Sequence, residues 1–205
     1  MIHPNTVLKF IDETIGYGVF AKSFIPQGTI VYVKDSLERV VTPQKYLEQD
    51  YEMQEMIEKY SYRDEHGNRV ISWDFAKYVN HCCNCNTMST GYGFEIAIRD
   101  IFEGEQITDE YGMFNLDQEM QVFCGNASCR KSVRPTDFDR FYHTWDMQIQ
   151  VAIQYIFNVE QPLYKWLDQE TKKELDMLKL DFSKYKSVYN LKWNKENMEE
   201  DPELI

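Results

Sequence analysis

All five cysteines of this 205-residue chain fall in two tight groups, Cys82-Cys83-Asn84-Cys85 and Cys124-Gly125-Asn126-Ala127-Ser128-Cys129. Thiolates so grouped are the natural donors of a tetrahedral zinc site, whereas an odd number of cysteines argues against a disulfide framework. Directly before the first group stand Asn80 and His81, and the second follows Asp109-Glu110-Tyr111-Gly112. A tyrosine hydroxyl can orient a reacting group and stabilise charge developing on it. Near the amino terminus, Gly16-Tyr17-Gly18 offers backbone that a ligand can approach closely. Each feature alone has an ordinary structural reading as a turn, a hydrogen-bonded pair or a strand end.

The elements that would position these residues are legible in outline. Residues 7–11, 19–21 and 29–33 are β-rich and separated by Gly16, Gly18, Pro26 and Gly28, which predicts short strands. Thr42 as a cap and Pro43 at the first position then open a predicted helix running to about residue 60. Strands are expected at 70–73, 94–99 and 106–108. Beyond Pro135, Phe138, Phe141, Trp145, Ile149, Ala152, Ile153 and Ile156 recur at helical spacing, which predicts an amphipathic helix broken by Pro162 and a second helix over 163–180. The aromatics of this segment read as core, as a wall of a groove, or as a homodimer face.

Composition narrows the function. The net charge is −12, with 13 basic and 20 acidic residues in 1–134 and five acidic, no basic, in the last ten. So acidic a front segment argues against a protein that grips a phosphate backbone directly and favours a basic partner, the alternative being a solvated acidic surface that serves only solubility. No apolar run approaches the roughly 18 residues of a membrane span, and the opening Met1-Ile2-His3-Pro4-Asn5 lacks the regions of a signal peptide. The expectation is a soluble intracellular protein, with the cytoplasm the expected compartment and the nucleus the alternative.

Taken together, the motifs resemble the SET domain of protein-lysine methyltransferases. The likeness rests on Gly16-Tyr17-Gly18-Val19-Phe20-Ala21 with Ile25-Pro26-Gln27-Gly28, on Tyr78-Val79-Asn80-His81-Cys82-Cys83, on Ala97-Ile98-Arg99-Asp100-Ile101 with Gly104-Glu105, and on Ile107-Thr108-Asp109-Glu110-Tyr111-Gly112. It covers about residues 7–134. The resemblance implies a mostly β fold with helices, made of small sheets around a pseudoknot, with a C-terminal helical extension. It divides the chain into a SET domain (1–119, with the insert helix at 42–60), a post-SET-like segment (120–134), a helical extension (135–195) and a disordered acidic tail (196–205).

The same resemblance implies an S-adenosylmethionine-dependent protein-lysine N-methyltransferase acting on a basic protein or tail, the alternative being a non-catalytic interaction scaffold. Tyr111 matches the catalytic tyrosine. Ile15, Tyr17, Gly18, Asn80 and His81 match cofactor-binding positions, with Tyr111 beside them and Lys77 within reach of the cofactor carboxylate. Two departures stand out. Many members place an aromatic residue two positions before the tyrosine, where this chain has Asp109. The usual zinc site takes three cysteines after the tyrosine and one from the Asn-His loop; Cys83, Cys124 and Cys129 match, but the remaining position is Val122. Cys85 is therefore the expected fourth ligand, completing a structural zinc site of Cys83, Cys85, Cys124 and Cys129.

Overall fold

The computed structural model describes residues 1–194. The acidic stretch 196–205, expected to be disordered, lies outside the described residues. In chain order the strands are β1 (Thr6–Asp12), β2 (Gly16–Ala21), β3 (Ile30–Val33) and β4 (Arg39–Val41), then α1 (Pro43–Leu47) and α2 (Tyr51–Tyr60). Next come β5 (Ser61–Arg63), β6 (Arg69–Ile71), β7 (Asn80–His81), β8 (Thr87–Ser89), β9 (Phe94–Ala97) and β10 (Thr108–Asp109). The hairpin of β11 (Met120–Gln121) and β12 (Ser132–Val133) carries the second cysteine group, and α3 (Asp137–Ile153) and α4 (Gln169–Leu180) follow.

The strands make small sheets: β1 with β2, β3-β9-β8, β4-β6-β5, β11 with β12, and a two-residue parallel ladder of β7 with β10. That last pairing brings Thr108 opposite Asn80 and Asp109 opposite His81. It is the close passage of two distant segments that the resemblance implies.

Several expected elements are shorter or divided. The helix predicted over 42–60 is two, because Asp50 caps a second start: its carboxylate accepts the Met53 N–H at 2.8 Å, as Thr42 accepts that of Lys45 at 3.3 Å. The helix predicted over 163–180 opens as a 3₁₀ turn (Tyr164–Trp166) and becomes α-helical only after the Asp168 cap. Helix α3 ends at Ile153, well before Pro162. There the chain turns against Gly28, whose φ of +89° and lack of a Cβ allow Tyr155 to close in; a Cβ would stand 2.6 Å from that of Tyr155.

The C-terminal helices share one core with the sheets. Phe94 and Ile96 of β9 pack with Trp145, Ile149, Ile153, Leu175 and Leu178. Trp145 is buried and Phe141, Tyr142 and Tyr164 are packed against that core, so much of the aromatic stripe faces inward. Asp146, only 8% exposed, ties the returning chain to α3: its carboxylate accepts the Tyr185 hydroxyl (2.8 Å), the Ser187 hydroxyl (2.6 Å) and the Val188 N–H (2.9 Å).

Removing that acceptor strands three donors. Asp146→Ala should cost about 3 kcal/mol in urea unfolding. By contrast, Asp139→Ala, which breaks a mostly exposed pair with Lys192, should cost under about 1 kcal/mol.

Candidate active site

The β7/β10 ladder delivers Tyr111 to the Asn-His loop. Tyr111 opens a 3₁₀ turn capped by Glu110, whose Oε1 accepts the Gly112 N–H at 2.8 Å. The phenol donates to the Val79 carbonyl at 2.7 Å, and its ring lies 5.4 Å from His81 and 5.0 Å from Phe114. Burial, reinforced by the nearby Asp109 and Glu95 charges, raises the phenol pKa, so it stays a proton donor at neutral pH. His81 is lowered to about 4 by burial and then by the Arg130 charge, leaving a neutral ring. Its Nδ1 lies 3.1 Å from the Asp109 carbonyl and 3.3 Å from the Tyr111 N, and its Nε2 lies 3.3 Å from Cys83 Sγ.

Most of the expected cofactor residues converge. Asn80 Nδ2 donates to the Tyr17 carbonyl at 3.0 Å, binding the glycine turn to the ladder. Gly18 leaves room there: a Cβ would sit 2.6 Å from Gln106 Nε2, 2.7 Å from Ile11 Cδ1 and 3.1 Å from Asn80 Nδ2, so those side-chain ends would have to move. The rings of Tyr17 and Tyr78 lie 5.9 Å apart, and Tyr60 continues the row 5.8 Å from Tyr78. Lys77 lines the same pocket as Val79 and Tyr111, its amine donating to the Ser72 carbonyl at 3.5 Å and lying 5.8 Å from the centre of the Tyr78 ring. Ile15 stands about half exposed at the tip of the turn, where its N–H donates to Asp12.

Tyr111 lines a cavity of ≈900 Å³, within the range of small-molecule sites. Asp109 lines it too, at 1% exposure rather than facing solvent. Burial and the Glu110 charge push Asp109 up to about 7, and Glu95 is pushed well above the ordinary carboxylate range by burial and by Asp109.

The metal expectation needs one correction. Sγ atoms of Cys83, Cys124 and Cys129 lie within 4.8 Å of one another, but Cys85 is outside this group. At 3% exposure it packs in the hydrophobic core with Met88 and Met113, because the residue after Asn84 turns inward toward β8. Cys82, which sequence reasoning set aside as spare, instead has its thiol against that of Cys124. The Arg130 N–H points at Cys83 Sγ (3.3 Å) and the Lys131 N–H at Cys129 Sγ (3.4 Å), the support that a metal-binding thiolate uses. The three clustered cysteines thus fit a metal thiolate site, and Cys82 is the thiol placed to extend it.

Sequence reasoning also missed Glu95, Arg130 and the tyrosines Tyr32 and Tyr62. Arg130 could have been suspected as the cation next to a ligand cysteine. Its guanidinium pairs with Glu110 at 2.6 Å and approaches Asp137 at 3.5 Å, clamping the cysteine segment onto the Tyr111 turn.

Residues 16–112 match the family model of the SET domain. A variant-silencing SET domain-containing protein of Plasmodium falciparum is 30% identical over 132 residues, covering 57% of this chain and 5% of its own length. A histone-lysine N-methyltransferase, H3 lysine-36 specific, of Cryptococcus neoformans is 24% identical over 132 residues, covering 58% of this chain and 16% of its own. The chain therefore spans only a small part of these relatives. Among solved structures, the methyltransferase domain of human histone-lysine N-methyltransferase SETMAR is 17% identical with a TM-score of 0.43, covering 65% of this chain and 58% of its own. KRYPTONITE in complex with mCHH DNA, H3(1-15) peptide and SAH is 18% identical with a TM-score of 0.45, covering 64% and 30%.

Because Arg130 neutralises a buried carboxylate, Arg130→Met should destabilise the protein by about 3 kcal/mol. Adding Glu110→Gln, which keeps the cap on Gly112, should recover most of that loss in a double-mutant cycle read by urea unfolding.

Proposed function

We propose that this chain, whose residues 16–112 match the SET domain family model, is a protein-lysine N-methyltransferase using S-adenosylmethionine. The observation that carries the reading is the Tyr111 phenol, which lines a ≈900 Å³ cavity and is fixed on the carbonyl of Val79, the residue directly before Asn80-His81. Beside the cavity, outside its lining, the half-exposed Tyr17 and its neighbour Tyr78 offer faces for a purine, and Lys77 on the cavity wall offers a cation for a carboxylate. When bound, the cofactor supplies a methyl group activated by a sulfonium.

The protein's own part is positioning and dehydration. A lysine amine has a pKa of about 10.4, so it must be made neutral before it can act as a nucleophile. The aromatic walls of Tyr32, Tyr62, Tyr111 and Phe114 exclude water and disfavour the ammonium. Tyr111 then holds the amine in line through its hydroxyl. The substrate class is a lysine in a basic protein segment, which suits the acidic front of the chain and the histone specificity in the name of the Cryptococcus relative.

Zinc is the proposed metal at the cysteine cluster, where it would order the segment beside Tyr111 without entering the transfer step.

Two measurements check these readings. Incubation with labelled S-adenosylmethionine and a panel of histones and basic peptides should give mass additions at lysine; Tyr111→Phe should bind the cofactor with wild-type affinity and lose at least 100-fold in transfer. Cofactor binding without transfer to any candidate would instead favour a scaffold. Purified protein should contain about one zinc per chain, retained in Cys85→Ser and lost in Cys83→Ser and Cys129→Ser. Retention of zinc in Cys83→Ser would overturn the metal assignment.

A further inference from the structure

A second cavity of ≈380 Å³ opens between the front sheets and the C-terminal helices. It shares Tyr32, Tyr62, Glu95 and Phe114 with the cavity that contains Tyr111, so the two meet at one aromatic wall. Its rim carries the carboxylates Asp64 and Glu65 on one side and Asp168, Glu170 and Glu174 on the other, against the cations Lys34, Arg63 and Lys186, of which Lys34 lies 3.4 Å from Asp64 and Lys186 2.8 Å from Glu174. A basic side chain entering from this rim would reach the shared wall with Tyr111 beyond it.

At that wall two carboxyl groups touch. Asp109 Oδ1 accepts the Glu110 N–H at 2.7 Å, but Oδ2 is buried with no donor. The group that meets Asp109 is the Glu95 carboxyl. Two carboxylates are both acceptors, so this contact becomes a hydrogen bond only when one proton is shared between them. The pair therefore carries about one negative charge near neutral pH and has one site open to a second proton. Nothing in the positioning role of Tyr111 uses this pair.

Resting on the methyl-transfer reading above, we propose that the Glu95–Asp109 pair removes the proton from the substrate lysine beside Tyr111. An N–H bond of the ammonium breaks and its electrons remain on nitrogen as the nucleophilic lone pair. The proton forms an O–H bond on the pair, which passes from one proton to two while the lysine passes from +1 to neutral. The added proton returns to water through the open cavity. The charged groups facing the pair are Glu38 before β4, Glu110 on the following turn and the Met1 amine; the Cys85 thiol, buried near Asp109, is held well above its ordinary range by burial and then by the Asp109 charge, and stays neutral. Tyr32, Tyr62 and Tyr111 have phenol pKa values raised by burial and remain neutral throughout.

The test is the pH profile of single-turnover methyl transfer to a lysine peptide between pH 6 and about 10, where free lysine becomes neutral. Glu95→Gln and Asp109→Asn preserve shape and should bind S-adenosylmethionine as the wild type does. Each should lose at least tenfold in rate near pH 7 and recover as the pH rises. A second readout needs no variant: the infrared band of a protonated carboxyl should grow when a lysine peptide binds wild-type protein loaded with S-adenosylhomocysteine. A loss equal at every pH, no loss in either variant, or an unchanged carboxyl band overturns the role of the pair alone. Wild-type protein that transfers no methyl group at any pH overturns the lysine methyltransferase reading and this inference with it.

Discussion

The structure depends on a parallel ladder only two residues long. Pairing Asn80 with Thr108 and His81 with Asp109 places two distant stretches side by side, and everything chemical in the molecule sits on or beside that contact. So short a ladder is weak by itself, and side chains reinforce it. Asn86, 1% exposed, accepts the Thr108 N–H at 2.8 Å through its carbonyl and donates to the Gln106 carbonyl at 2.8 Å. The Thr87 hydroxyl donates to the Thr108 carbonyl at 3.0 Å, and the Cys82 N–H donates to that of Asp109 at 3.2 Å. Buried amides and hydroxyls of this kind stabilise only when every group is satisfied, which gives the crossing one register rather than several.

That dependence explains what was legible in the sequence. Gly16-Tyr17-Gly18, Asn80-His81 and Tyr111 could be singled out only as a set, by their order and spacing, since each alone reads as a turn, a hydrogen-bonded pair or a strand end. Helices α3 and α4 were visible from apolar spacing, and the Asp50 cap that divides the insert helix was present in the sequence but outweighed by the apolar pattern around it. Glu95 was not legible. Alternation in Phe94-Glu95-Ile96 places a glutamate on the opposite face from its neighbours, which ordinarily means solvent. Strand β9, however, is the central strand of its sheet, and the face that carries Glu95 is covered by Tyr32, Tyr62 and the Asp109 turn. Cys85 failed for a related reason, since spacing alone cannot say which of three neighbouring cysteines turns inward.

The charge pattern acquires a spatial meaning in the same way. Read along the chain, the acidic excess is a bulk property that argues against a phosphate partner. In the fold part of it forms a rim, where Asp64, Glu65, Asp168 and Glu170 border the smaller cavity, and part reaches the wall between the two cavities, where Glu95 meets the buried Asp109. The rim acts at long range and is weakened by salt, whereas the pair acts at contact and is not. The C-terminal helices therefore do more than enlarge the core: through Asp168, Glu170 and Glu174 they supply one side of that rim.

The cysteine cluster and Tyr111 are joined by two routes that both begin at Cys83. In one, the His81 ring spans from Cys83 Sγ to the Tyr111 N–H. The ring is neutral, so it carries one proton; if Cys83 is a thiolate, that proton belongs on Nε2 facing sulfur, and Nδ1 accepts from Tyr111. In the other, Arg130 donates its backbone N–H to Cys83 and its guanidinium to Glu110, which caps the turn on which Tyr111 stands. A thiol at Cys83 would reverse the demand on Nε2 and free Nδ1 to donate to the Asp109 carbonyl, loosening its hold on the Tyr111 backbone. The ionisation state of one cysteine thus selects between two hydrogen-bond arrangements around Tyr111, and a metal that fixes the thiolate fixes the arrangement with it.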